Sequence, residues 1–167
     1  MAYRNKVFVS FDGDNDIHYY RLMTAWKQND STPFNFYDAH DVNTALDTST
    51  EDTIKRRLRE RLVNSKVVIS LIGEQTRYLH KFVRWELEQA VNLNLPIIGV
   101  NLNGNKSLDS NRCPPVLRDE LVVYISFNVN ILQYALENWP DEFYRLKRER
   151  KTGSRHYSGD VYKRLGL

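Results

Sequence analysis

Val67-Val-Ile-Ser-Leu-Ile-Gly-Glu-Gln-Thr-Arg-Tyr-Leu-His-Lys-Phe-Val-Arg-Trp-Glu-Leu-Glu-Gln-Ala-Val91 passes from an apolar run, through a short polar turn, into an amphipathic segment. The run Lys66 to Ile72 is the most apolar in the chain and reads as the central strand of a sheet buried on both faces. At roughly 100° per residue, Val83, Leu87, Ala90 and Val91 form the buried stripe of the helix that follows. Glu86 falls about 60° from Val83 on that helix, at the border of the stripe. Phe82 lies one turn before it and Trp85 beside it. Two readings of this acid stay open on pattern alone: a surface ion pair with Arg84 or Arg77, or a carboxylate facing a cleft at the strand ends.

Outward from this stretch the pattern repeats. Lys6 to Phe11 is a strand, closed by Asp12-Gly13-Asp14-Asn15-Asp16, which cannot continue a strand but caps a helix well. Ile17, Tyr20, Met23 and Thr24 mark that helix, which gives out near Asn29 to Ser31. Phe34 to Tyr37 is a second strand. A long polar segment, Asp38 to Thr50, follows, and loops of this length are commonly functional or mobile. Thr48 with Glu51 fits a capping box, and Ile54, Leu58 and Leu62 form the stripe of the next helix, whose other face carries Lys55, Arg56, Arg57, Arg59 and Arg61. Pro96 to Asn101 and Leu121 to Phe127 supply two more strands, and Val129 to Asn138 a last core helix. Beyond Trp139-Pro140 a charged helical segment is expected to fade into a weakly packed tail. The expected division is a domain over 1–140 and a charged C-terminal helical extension over 141–167.

Alternating strands and helices imply an α/β fold: a central five-stranded parallel sheet with helices on both faces. Ligands of such folds bind at the carboxyl ends of the strands, near the switch in strand order. That edge comprises Ser10 to Asp12, Asp38 to Val42 and Gly73 to Phe82.

At 167 residues with a formal charge of +3, the chain suits one ordinary domain. No apolar run approaches the roughly 18 residues of a membrane span, and the N-terminus has no signal or transit pattern, so a cytoplasmic protein is expected. Cys113 stands alone, in no metal-ligand spacing. The late basic residues read as a solvated face, and neither membrane nor nucleic acid is an expected partner. Asp12-x-Asp14-x-Asp16 begins like a calcium loop, but Ile17 stands where Gly is needed and Met23 where a bidentate Glu should be. A phosphoacceptor receiver would need an Asp closing the third strand and a Lys closing the fifth, and neither is present. The glycine motifs of dinucleotide folds and P-loops are missing, as is a nucleophile-elbow Ser. Neither a metal nor a bound cofactor is expected.

The strand Val-Phe-Val-Ser-Phe, the opening stretch, its Phe-Val-Arg-Trp-Glu-Leu helix start and Pro-Ile-Ile-Gly-Val resemble, in order and spacing, the bacterial TIR-like family of the Thoeris anti-phage defence system. The resemblance covers roughly Lys6 to Asn101. It implies a TIR-like, flavodoxin-like three-layer fold and an enzyme that cleaves NAD+ between nicotinamide and ribose. The expected product is an ADP-ribose-derived signalling nucleotide that activates a separate effector, with a phage-derived trigger and self-assembly as further expectations. The family's catalytic Glu lies in a Trp-x-x-x-Glu pattern on this helix, which makes it Glu86, with Phe82 in the Trp position. Phe82 keeps an aromatic wall and loses the indole N–H. Substrate contacts are expected from Phe11, Asp12, Asp41, Gly73, Thr76 and Phe82, with helix capping as the other role for Asp12 and turn formation as the other role for Gly73 and Thr76. Phe11, Phe82 and the Asp38 to Thr50 loop are the groups expected to exclude water. The alternatives are a non-catalytic TIR-like assembly module and a nucleoside deoxyribosyltransferase-like enzyme, which uses a similarly placed Glu.

Overall fold

The computed structural model describes residues 6–28, 35–37, 50–79 and 81–167. Six strands form one parallel sheet: β1 (Lys6–Ser10), β2 (Asn35–Tyr37), β3 (Val67–Ile72), β4 (Ile97–Asn101), β5 (Val122–Ser126) and β6 (Ser154–His156), in the spatial order β2-β1-β3-β4-β5-β6. The first five are the expected strands, and β6 adds to the β5 edge with Val122 beside Ser154. Strand order reverses at β1, which lies between β2 and β3. The crevice where such sheets take ligands therefore opens at the carboxyl ends of β1 and β3.

Helices cover both faces: α1 (Ile17–Gln28), α2 (Glu51–Val63), α3 (Phe82–Asn92), α4 (Val129–Arg148) and α5 (Gly159–Arg164). Side chains alternate along each strand. Val7, Val9, Ile69, Val100 and Ile125 pack with Tyr20 and Met23 of α1 and Leu132 and Leu136 of α4. Phe8, Val68, Ile72 and Ile97 pack on the other face with Leu58 and Leu62 of α2 and Val83, Leu87 and Ala90 of α3. β3 is buried along its whole length, as expected of the sheet centre.

Where α2 begins, the cap differs from the Thr48–Glu51 box. The N-cap is Thr50, whose Oγ1 accepts the Thr53 backbone N–H at 3.3 Å. A β-hydroxyl one position before the first helical residue can reach that orphan donor, and Thr48 lies outside the described residues. α3 ends where Asn94 takes φ 56°. In that left-handed conformation the chain reverses, and the N–H groups of Asn94 and Leu95 satisfy the carbonyls of Val91 and Ala90 at 3.0 Å each.

The C-terminal segment departs from expectation. Pro140 does not end the last core helix, because α4 runs through it to Arg148. Trp139, Phe143 and Leu146 extend the buried stripe of Leu132, Ala135 and Leu136 by further turns, and their burial outweighs the one backbone bond that proline removes. Nor is the tail weakly packed. Tyr162 is buried and its hydroxyl accepts the Ser126 backbone N–H at 3.3 Å, while Val161 joins the α1–α4 core. Among the described residues no helix is long and apolar enough to cross a membrane.

Candidate functional site at the β1–β3 edge

Alternation along β1 points Ser10 toward the α3 face, in register with Ser70 of β3 and, beyond it, Gly99 of β4 and Tyr124 of β5. These residues leave room under α3, because Ser10, Ser70 and Gly99 are small. Part of that room is filled by Tyr124, whose ring occupies the space where a Gly99 side chain would stand. Glu86 descends into this region from the second turn of α3. Its carboxyl is 2% exposed and accepts a hydrogen bond from the Ser10 hydroxyl, Oγ to Oε2 at 2.6 Å. Such a distance is within the ordinary range of O–H···O hydrogen bonds.

The surface ion pair therefore does not form. Arg84 donates instead to Glu88 at 2.9 Å, and Arg77 donates to the Asn111 carbonyl at 2.5 Å. Burial pushes the Glu86 carboxyl up to about 8, with the Ser10 hydrogen bond pulling the other way. Desolvation penalises the anion, and no cation among the described residues offsets it. Among the described residues, the hollows beside α3 include one of about 210 Å³ lined in part by Thr76, Val83, Leu87 and Pro115 and another between Lys55, Lys81 and Trp85, and Glu86 lines neither of these two.

The remaining expected site residues fall into three positions. Phe82 is half-buried on the α3 face, with the Lys81 ammonium 5.2 Å from its ring centre. Phe11 packs on the opposite face of the sheet, stacked on Tyr20 with ring centres 4.6 Å apart. The two rings thus do not form one wall. Asp12, Gly73 and Thr76 lie at the crevice itself, and each has a structural partner. The Asp12 carboxylate accepts the backbone N–H groups of Asp14 and Asn15 and the Asn15 side-chain amide, at 2.7 to 3.2 Å. Thr76 Oγ1 accepts the Gly73 N–H at 2.8 Å and closes the turn after β3. A Cβ on Gly73 would collide with the Asp16 carboxylate, so it is Asp16 that approaches this glycine closely. Asp41 lies outside the described residues, as does the long segment over 38–49.

Three polar residues at this edge are not among the site residues expected from the sequence. Ser10 and Ser70 are buried, and the Ser70 hydroxyl has no hydrogen-bond partner. Asp16 is 7% exposed, with one carboxylate oxygen unpartnered. Burial and the neighbouring Asp12 charge raise its pKa, while His18 and Arg112 pull it back. A hydroxyl at an inward position of an apolar strand was the signal available for both serines. Among the described residues no group of three or more His, Cys, Asp or Glu side chains is arranged to hold a metal ion.

The model of the family described as Thoeris protein ThsB, TIR-like domain, matches residues 8–107. The chain belongs to that family. The matched span begins in β1 and ends in the loop after β4, so it contains Ser10, Gly73, Phe82 and Glu86 together. This TIR-like protein is accordingly a defence-related protein of the Thoeris type, and its β5, α4, β6 and α5 lie beyond the matched span.

Proposed function

We propose that this TIR-like protein cleaves NAD+ at the nicotinamide–ribose bond, with Glu86 as the catalytic carboxylate, and releases an ADP-ribose-derived nucleotide that acts on a separate effector. The observation that carries the reading is a buried carboxyl, held by one hydroxyl, at the carboxyl edge where strand order reverses. Nothing else among the described residues explains an acid there by ion pairing.

The chemistry needs one carboxylate. As the glycosidic C–N bond breaks, its electron pair goes to the ring nitrogen, and nicotinamide leaves as a neutral molecule. No general acid is required, unlike glycoside hydrolysis with its acid and nucleophile pair. The ribose left behind has oxocarbenium character, and an anion beside it in a dry site stabilises that positive charge. Attack by water gives ADP-ribose; attack by a nucleophile of the bound nucleotide gives a cyclic product. A substrate bearing a pyridinium cation also favours ionisation of a carboxyl whose burial holds it at about 8. Binding and activation of Glu86 are thereby coupled.

The enclosure of Glu86 favours a second reading, a non-catalytic assembly module. Incubation of the concentrated full-length protein with NAD+, followed by mass spectrometry of the nucleotides, separates the two. Parallel incubation with deoxynucleosides tests transferase chemistry. Nicotinamide release lost in Glu86→Gln supports the NAD+ reading, and NAD+ left intact under crowding and in phage-challenged cells overturns it.

A further inference from the structure

We infer that Ser10 is the positioning residue of the Glu86 carboxyl: its hydroxyl fixes the rotamer of the acid and favours its anionic form. The inference rests on the reading of Glu86 as the catalytic carboxylate and names the group that regulates that site. Three observations support it. The Ser10 hydroxyl is 1% exposed and directed at Glu86 Oε2, 2.6 Å away. The last residue of β1 supplies it, in parallel register with Ser70 of the central strand β3, so the donor is pre-placed by the sheet and not by a loop. Charged groups on the described elements packed around the site have partners of their own. On α2 and at the start of α3, Lys55 and Lys81 both reach Glu51, and Arg84 is bonded to Glu88. Following β1, Asp12 is saturated by its own loop and Asp16 lies against Gly73.

A hydrogen bond to the charged form favours that form. Its removal leaves the carboxyl with the full penalty of burial, so the anion forms only at higher pH. Ser70 provides an internal control. It occupies the next strand in register, equally buried, with a hydroxyl that bonds to nothing.

The test is NAD+ turnover by the full-length protein between pH 6 and 9.5, for wild type, Ser10→Ala, Ser10→Thr and Ser70→Ala. The expected result for Ser10→Ala is an acidic limb of kcat moved up by about one to two pH units, with KM within about threefold, from the usual strength of a hydrogen bond to a charged group. Ser10→Thr keeps the hydroxyl and should restore the wild-type limb; Ser70→Ala should superpose on wild type. A Ser10→Ala profile lowered equally at every pH, or an equal shift in Ser70→Ala, overturns the inference. A second arm is independent of turnover: melting temperature against pH for Ser10→Ala with and without Glu86→Gln. If no variant cleaves NAD+, the function proposed above fails, and the inference stands or falls on whether Ser10→Ala moves the Glu86-dependent part of that curve upward in pH.

Discussion

At Glu86, burial and charge oppose each other, and the conflict has a thermodynamic signature. The folded protein holds the proton on this carboxyl up to about 8, whereas an unfolded chain releases it near 4.5. Between those values the native state binds more protons than the unfolded one, so stability falls as pH rises through the window. The contribution is fully present below about 4.5 and lost above about 8. Glu86→Gln keeps size and polarity and removes the titration. Its melting temperature should match wild type at the acidic end of the window and exceed it increasingly toward the alkaline end, by an amount limited to about 1.4 kcal/mol per pH unit. A constant difference across the range would contradict the buried, protonated carboxyl. Legibility at this scale was partial. The helix period placed Glu86 at the border of the apolar stripe and left its partner open, because a projection of one helix carries no information about the strand beneath it. Ser10 supplied the missing information through a contact 76 residues distant, which local pattern cannot encode.

At the scale of elements, the strands were legible because each is a short, apolar, β-branched run whose burial on both faces leaves little ambiguity. Local pattern ends α4 near Asn138, because proline is a strong signal against helix interiors. Its apolar period continues through Trp139, Phe143 and Leu146, which together define a buried stripe on a helix of 20 residues. Tertiary burial outweighed local propensity. Phe143 is 3% exposed and packs against Trp139, whereas its neighbour Tyr144 is exposed. Phe143→Ala should cost about 3–5 kcal/mol in chemical denaturation, and Tyr144→Ala well under 1 kcal/mol. Equal, small effects would mean that the helix beyond Pro140 does not pack as described.

For the whole molecule, the parallel sheet follows from alternation of strands and helices, and the crevice follows from strand order. What the sequence did not disclose is how the chain finishes. Gly153 to Leu167 supplies β6 and α5, which cover the β5 edge and bury Tyr162 against α4 and β5. An edge strand left open exposes unpaired backbone groups; β6 pairs with β5 and, at three residues, leaves only a short edge of its own. The segment is short and polar, and its value comes from two buried side chains and a strand of three residues, too weak a pattern to read locally. Deletion of residues 153–167 should lower the melting temperature markedly and promote association, seen by light scattering, while leaving Glu86 and Ser10 in place. A truncated protein as stable and monodisperse as the full chain would contradict this role.

The central claim is that a single enclosed carboxyl at the β1–β3 crevice performs chemistry on NAD+. The most direct measurement is nicotinamide release from NAD+ by full-length wild type, Glu86→Gln and Glu88→Gln, each first shown to be folded, with the nucleotide product resolved by mass spectrometry. The account predicts release by wild type and Glu88→Gln and loss of at least about a hundredfold in Glu86→Gln, the scale on which removing an electrostatic stabiliser acts. Undiminished release by Glu86→Gln would contradict it.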